Sequence, residues 1–132
     1  MKRVLDTNAY CYCDMGNKEA LSLLETAHSI YLPTIVYGEL YYGFKHGSRL
    51  KDNLKRLDSF IQEFDVELIP IDLKVAKLFG DVFSFLRKKG RPIPTNDIWI
   101  AASTLAISGA VLITEDQHFQ EIDFLEVERI QK

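Results

Sequence analysis

Cysteines and long apolar runs are scarce in this 132-residue chain, and their scarcity excludes several protein classes. Cys11 and Cys13 are too close in sequence to bridge each other readily, and no further Cys or His pair at ligand spacing completes a zinc site. No apolar run approaches the roughly 20 residues that span a bilayer. Asp6 comes too early for a signal peptide, so we expect a cytoplasmic protein with no membrane partner.

Positive charge is also in short supply, with 16 basic against 19 acidic residues and a net charge of −3. Proteins that hold nucleic acid by charge alone are normally basic, because neutralised phosphates supply most of the non-specific affinity. The composition therefore argues mildly against RNA binding, unless the binding surface is local or assisted by cations. With 47% hydrophobic and 27% charged residues, the chain has the balance of a globular protein. Its length predicts a single domain over residues 1–132.

Short apolar strands alternate with helical patterns along the sequence. The periodicity predicts strands near residues 4–5, 30–32, 66–71, 110–113 and 126–130, and helices near 17–27, 34–44, 50–64, 75–89 and 98–108. This alternation indicates an α/β fold, a three-layer α/β/α sandwich around a parallel sheet. Ligands of such sheets bind outside the carboxyl ends of the strands. Asp6 and Asp116 follow predicted strands, so we expect them at one rim.

Four acids are candidates for a shared site: Asp6, Glu39, Asp97 and Asp116. Taken singly, each has an ordinary explanation as a turn former, a helix-capping acid or a solvated helical glutamate. Two carboxylates about 4 Å apart repel by roughly 4 kcal/mol at an effective dielectric near 20, so a cluster needs a cation or a retained proton. Oxygen ligands favour Mg²⁺ or Mn²⁺ over zinc. The implied chemistry is metal-assisted phosphodiester hydrolysis.

Four sequence blocks carry a family resemblance that extends over nearly the whole chain. They are residues 4–8, 36–43, 93–102 and 112–119, and each contains one of the four acids. In these blocks the sequence resembles a PIN-domain ribonuclease, and specifically the VapC-type toxins of type II toxin–antitoxin pairs. The resemblance implies a PIN-like fold with a short central parallel sheet.

The resemblance also assigns roles to individual residues. It implies that Asp6, Asp97 and Asp116 bind Mg²⁺, with Mn²⁺ able to substitute, and that Glu39 completes the metal pocket. Asn8 and Thr114 would orient the ligands or the attacking water. The implied activity is endonucleolytic cleavage of structured RNA, transfer RNA or ribosomal RNA, leaving a 3′-hydroxyl and a 5′-phosphate. The implied partners are this RNA, a second copy in a homodimer, and a cognate antitoxin whose tail covers the acidic pocket.

Features outside the acids have two interpretations each. Arg87, Lys88, Lys89 and Arg91 could hold RNA phosphates, or they could simply complement the dipole at a helix C-terminus. The aromatic residues between positions 37 and 44 could divide between the core and a partner surface. For His118, which lies in the fourth block, we expect a packing or turn role.

The sequence lacks the acid patterns of two other protein classes that act on phosphate. A phosphotransfer receiver domain needs adjacent acids after its first strand, and an aspartyl phosphatase needs Asp-x-Asp there, whereas position 8 is Asn. A housekeeping RNA-processing nuclease and a catalytically idle RNA- or protein-binding module stay open as alternatives. A metal-dependent cleavage assay separates the idle module from both nucleases.

Overall fold

A computed structural model describes residues 1–131 of the chain. Its strands are β1 (Lys2–Leu5), β2 (Ser29–Pro33), β3 (Glu67–Ile69), β4 (Ala110–Thr114) and β5 (Val127–Arg129). Its helices are α1 (Thr7–Asp14), α2 (Lys18–Glu25), α3 (Thr34–Lys45), α4 (Leu50–Glu63), α5 (Leu73–Lys89) and α6 (Thr95–Leu105), with a 3₁₀ segment at Gln117–Glu121. This architecture confirms the predicted α/β fold.

The five strands form one parallel sheet in the order β3-β2-β1-β4-β5. The chain starts at the centre, builds outward through β2 and β3, and then crosses to the other side of β1 for β4 and β5. The order therefore reverses between β1 and β4, where Lys2 pairs with Ala110 and Leu5 with Ile113. In open parallel sheets the crevice at such a switch point, outside the carboxyl ends of the strands, is the usual ligand site.

The two central strands are apolar because helices cover both faces of a parallel sheet. Val4, Leu5, Leu112 and Ile113 are at most 1% exposed. Arg3 is the buried charged residue of β1, and its guanidinium pairs with Glu128. It also donates to the Leu23 carbonyl and the Thr26 hydroxyl. These bonds satisfy a charge that would otherwise be costly to bury.

Capping residues define several of the helix ends. Asp6, Asn17 and Asp72 each accept a hydrogen bond from a backbone N–H three residues later, at the start of α1, α2 and α5. Gly90 ends α5 in the left-handed conformation, with φ of 74°. Helices α5 and α6 then pack together through the stacked rings of Phe79 and Trp99, whose centroids are 3.8 Å apart. This packing fixes the start of α6 relative to the sheet.

Two predicted helix features differ from the structure. Helix α1 has no counterpart in the sequence-based prediction, and α6 ends at Leu105 rather than Ser108. Within residues 1–131, no helix combines the length and apolarity needed to cross a membrane.

Candidate metal centre

Asp6 lies at the switch point, directly after β1. Its backbone N–H donates to the Ile113 carbonyl of β4 at 3.3 Å, so the ends of β1 and β4 are joined there. Its side chain caps α1 by accepting from the Ala9 N–H at 2.8 Å. The residue is only 5% exposed. Because Asp6 caps α1, its carboxylate is held in a buried position at the carboxyl edge of the sheet.

The surroundings of Asp6 disfavour its charged form. Burial raises the pKa of its carboxyl to about 6, and the nearby charges of Asp97 and Asp116 add to the increase. Hydrogen bonds from the Thr114 hydroxyl and the Ala9 N–H oppose the increase. The charges of Asp97 and Asp116 therefore repel the Asp6 carboxylate, and a nearby cation would reduce this repulsion.

Asp97 comes from the first turn of α6, where the helix dipole favours an acid. Its side chain is 17% exposed, and burial raises the pKa of its carboxyl. Hydrogen bonding to His118 lowers that pKa, whereas the charges of Asp116 and Glu39 raise it further. Asp97 is therefore the acid that links Glu39 electrostatically to the other members of the set.

Asp116 follows β4 and begins the 3₁₀ segment. Its carboxylate accepts from the His118 N–H at 2.9 Å, and its own N–H donates to the Thr114 hydroxyl at 2.9 Å. Thr114 is fully buried. Since the same hydroxyl also bonds to Asp6, Thr114 connects the two acids that follow β1 and β4.

Glu39 approaches the edge from α3 and is held by two side chains. Its Oε1 accepts from the Thr7 hydroxyl at 2.7 Å, and its Oε2 accepts from the Asn96 amide at 3.3 Å. Sequence reasoning did not single out Thr7 or Asn96. Each is adjacent in sequence to one of the acids, Asp6 or Asp97, and that adjacency is the signal that could have identified them.

His118 occupies a position that the sequence analysis did not anticipate. Its backbone makes the expected turn, but its imidazole Nδ1 lies 3.2 Å from Asp97 Oδ2 and 3.1 Å from Asp116 Oδ1. One donor atom from each of these three residues falls within 4.8 Å of the others, as a metal site requires. The ring is half exposed and is therefore not a packing element.

Among the described residues, Asn8 borders this cluster without a hydrogen bond to its carboxylates. It is exposed and lines a surface depression of about 750 Å³ together with Asp116 and His118. Within the part of the chain that the structure describes, its side chain makes no hydrogen bond to any of the four acids. Asn8 is thus placed at the entrance of the site rather than among the carboxylates.

The donor set fits a divalent cation. Three elements of the fold bring carboxylates into one electrostatically coupled group, and α3 adds Glu39 at its border. Hard divalent ions take oxygen ligands of this kind, and the imidazole of His118 adds one nitrogen donor that Mn²⁺ accepts more readily than Mg²⁺. Burial raises the pKa of Asp6 and of Asp97, the neighbouring carboxylates raise it further, and a bound cation would favour the charged forms.

Known proteins resemble this chain over most of its length. The sequence model of the PIN domain family matches residues 3–125. A ribonuclease VapC1 from Haemophilus influenzae is 31% identical over 129 residues, which cover 93% of this chain and 93% of the relative.

Two solved structures share the fold over almost the whole chain. The crystal structure of VapBC2 from Rickettsia felis bound to a promoter DNA fragment matches with a TM-score of 0.86 and 27% identity, covering 99% of this chain and 100% of that one. VapBC-5 from Mycobacterium tuberculosis, a member of the VapBC family of toxin–antitoxin systems, matches with a TM-score of 0.71 and 26% identity, covering 99% and 98%.

Proposed function

This chain belongs to the PIN domain family, and from that membership we propose that it is a divalent-metal-dependent endoribonuclease, the toxin of a toxin–antitoxin pair. One observation carries the catalytic part of the proposal. Carboxylates that are distant in sequence meet at the switch point of the sheet, and one of them is buried with a pKa of about 6. A cluster of this kind is unfavourable in the absence of a cation and suits one that acts on phosphate.

In the proposed centre, Asp6, Asp97 and Asp116 hold Mg²⁺, for which Mn²⁺ can substitute, and Glu39 completes the pocket. The bound ion would supply Lewis-acid chemistry, neutralising the charge that develops on the phosphate. The nitrogen of His118 is within reach of the same ion.

The chain itself contributes rigid positioning of these oxygens. Thr114 fixes Asp6 and Asp116 relative to each other, and Thr7 and Asn96 each hold one oxygen of Glu39. Partners of this kind keep ligands in the productive geometry, and losing one typically costs 10- to 100-fold in metal affinity or activity. We assign Asn8 to orienting the substrate or water at the entrance, since it is exposed beside Asp116.

The proposed substrate is structured RNA, transfer RNA or ribosomal RNA, and the proposed protein partners are a cognate antitoxin and a second copy of this chain. The similarity to VapBC assemblies supports the antitoxin. On α3, Leu40 is buried whereas Tyr41 and Tyr42 are 38% and 66% exposed. Exposed tyrosines are favoured at protein interfaces, so this segment supports a partner surface there.

A cleavage assay tests the catalytic proposal. Purified protein is incubated with transfer RNA and ribosomal RNA in Mg²⁺, Mn²⁺ or EDTA, and the RNA ends are sequenced. We expect metal-dependent cuts that leave 5′-phosphates and disappear in Asp97→Asn. The matched control is Asp52→Asn, which removes an exposed first-turn acid from α4 and should cleave normally. Cleavage that persists in EDTA or in Asp97→Asn would refute the metal centre, and no cleavage under any condition would favour an idle binding module.

A further inference from the structure

Arg129, the last residue of β5, lies beside the metal centre without belonging to it. In the parallel pair of β4 and β5, its Cα pairs with that of Thr114, the residue that connects Asp6 and Asp116. Its Nη2 donates to the Glu115 carbonyl at 3.1 Å. A guanidinium is therefore anchored to the backbone immediately before Asp116.

This guanidinium has fewer acceptors than its surroundings require. Its Nε is buried and has no hydrogen-bond partner in the described chain. The bond to Glu115 is its single hydrogen bond within residues 1–131, and no carboxylate there lies within ion-pair distance. A buried N–H without an acceptor is unfavourable, and an arginine in such a place normally meets a carboxylate or a phosphate. An anion from outside the described residues would supply the missing acceptor.

The depression at the entrance of the site offers a place for that anion. Arg129 lines it with the acids Glu115 and Asp116, with His118, and with Asn8, Gln117 and Gln131. The three amide residues offer neutral donors beside one guanidinium, and Asp116 and His118 belong both to this depression and to the candidate metal cluster. An RNA strand whose scissile phosphate is at the carboxylates can extend directly into it.

Two of the four basic residues that sequence analysis singled out, Lys89 and Arg91, are less available, whereas Arg87 and Lys88 are exposed and have no acidic partner among the described residues. Lys89 contacts Asp123 at 2.8 Å and donates to the Glu121 carbonyl at 2.7 Å. Arg91 lies 3.7 Å from the Glu121 carboxylate. These cations already have acidic partners within the chain, whereas Arg129 has none among the described residues.

We propose that Arg129 binds a phosphate of the RNA next to the scissile one and thereby positions the backbone across the depression. The inference rests on the proposed ribonuclease function and adds a positioning residue to it. The guanidinium fork suits a phosphate because it can offer two parallel N–H donors. A small movement of the side chain toward the depression would give the unpartnered Nε its acceptor.

The test measures how salt weakens RNA binding. A single-stranded RNA oligonucleotide is titrated with protein carrying Asp97→Asn, in Mg²⁺ and over a series of KCl concentrations. Each phosphate contact on a single strand contributes about 0.7 to the slope of log K against log salt. Arg129→Gln should reduce the slope by about 0.7, so that the parent loses roughly 2.6-fold more affinity than the variant between 50 and 200 mM salt.

Two further variants make the result specific. Arg129→Lys keeps the charge and should restore the slope. Arg56→Gln removes the same charge from α4, where Arg56 pairs with Asp14 on the surface, and should leave the slope unchanged. An unchanged slope in Arg129→Gln, or an equal decrease in Arg56→Gln, would overturn the proposal.

A kinetic measurement guards against a folding defect in Arg129→Gln. In the otherwise native enzyme, Arg129→Lys loses the fork but little stability, and it should raise KM more than it lowers kcat. A lower kcat at unchanged KM would overturn a positioning role. If the native enzyme cleaves RNA but Arg129→Gln leaves the salt slope unchanged, only this inference fails. If no RNA is cleaved while Arg129→Gln still lowers the slope, the proposed ribonuclease function fails and the phosphate contact stands.

Discussion

Asp6→Asn tests whether the acid cluster strains the metal-free fold. Asp6 is charged in both the folded and the unfolded chain above pH 6, and protonated in both below its ordinary pKa of 3.8. Because folding raises the pKa of this acid, its charged form destabilises the fold at high pH, and the cost disappears as the pH falls toward 4. Asn carries no charge and caps helices about as well as Asp, so the variant escapes this cost.

The size of the effect follows from the pKa. An increase from 3.8 to about 6, at about 1.36 kcal/mol for each pKa unit, corresponds to a cost of about 3 kcal/mol at pH 8. Asn keeps the acceptor for the Ala9 N–H but weakens the hydrogen bond with the Thr114 hydroxyl, which returns about 1 kcal/mol. The net gain is about 2 kcal/mol, or on the order of 7 °C in the melting temperature for a chain of this size.

The assay is thermal and urea unfolding of both proteins in EDTA between pH 4.5 and 8. The variant should be more stable at pH 8, and the two curves should converge as the pH falls. Asp72→Asn is the matched control, because Asp72 caps α5 through Val75 in the same way but is exposed and distant from the cluster. A variant less stable than the native protein at pH 8 would show that the Asp6 charge supports the fold, and the argument that burial and repulsion disfavour this charge would be refuted.

Three other outcomes are expected. Mg²⁺ or Mn²⁺ should raise the melting temperature of the native protein, because an ion at 100 times its dissociation constant stabilises the folded state by about 2.7 kcal/mol. An unchanged melting temperature would mean that the ion does not bind the folded state. Asp97→Asn should abolish cleavage yet leave the EDTA-treated protein at least as stable, because it removes a charge near Asp116 and Glu39; loss of folding would make Asp97 structural. Glu39→Gln keeps an acceptor for Thr7 and should fold normally while cleaving about 10- to 100-fold more slowly, which single-turnover kinetics would measure.

The inner strands β1, β2 and β4 were predictable from sequence because each is a mostly buried run with a clear end, whereas the edge strands β3 and β5 are more exposed. Helix α1 was not predictable, since its eight residues place only Ala9, Tyr10 and Cys13 in the core, and its start depends on capping by Asp6. The apolar pattern of α6 continues past the helix itself. The chain instead turns after Leu105 into β4, with Gly109 at a φ of 76°. Local patterns could not show where tertiary packing ends a helix.

The acids of the candidate site were recognisable from their blocks, but their neighbours were not. His118 and Asp97 are 21 residues apart, and only the packing of α6 beside the end of β4 brings the imidazole to the carboxylate. The partners of Lys89 on the 3₁₀ segment and beyond were equally hidden, since no spacing rule links them. Sequence motifs identify chemical groups, whereas contacts between distant segments depend on the fold.

The net charge of −3 gains a different meaning once the acids are located. Asp6, Glu39, Asp97 and Asp116 account for four of the negative charges, so the rest of the chain carries a net charge of +1. The acidic balance thus belongs to the candidate metal centre rather than to the surface as a whole. A divalent cation bound there would neutralise two of these four negative charges next to Arg129. The site would then repel an RNA strand less than the metal-free protein does. The composition that argued against RNA binding is therefore compatible with a nuclease whose acids are compensated by a cation.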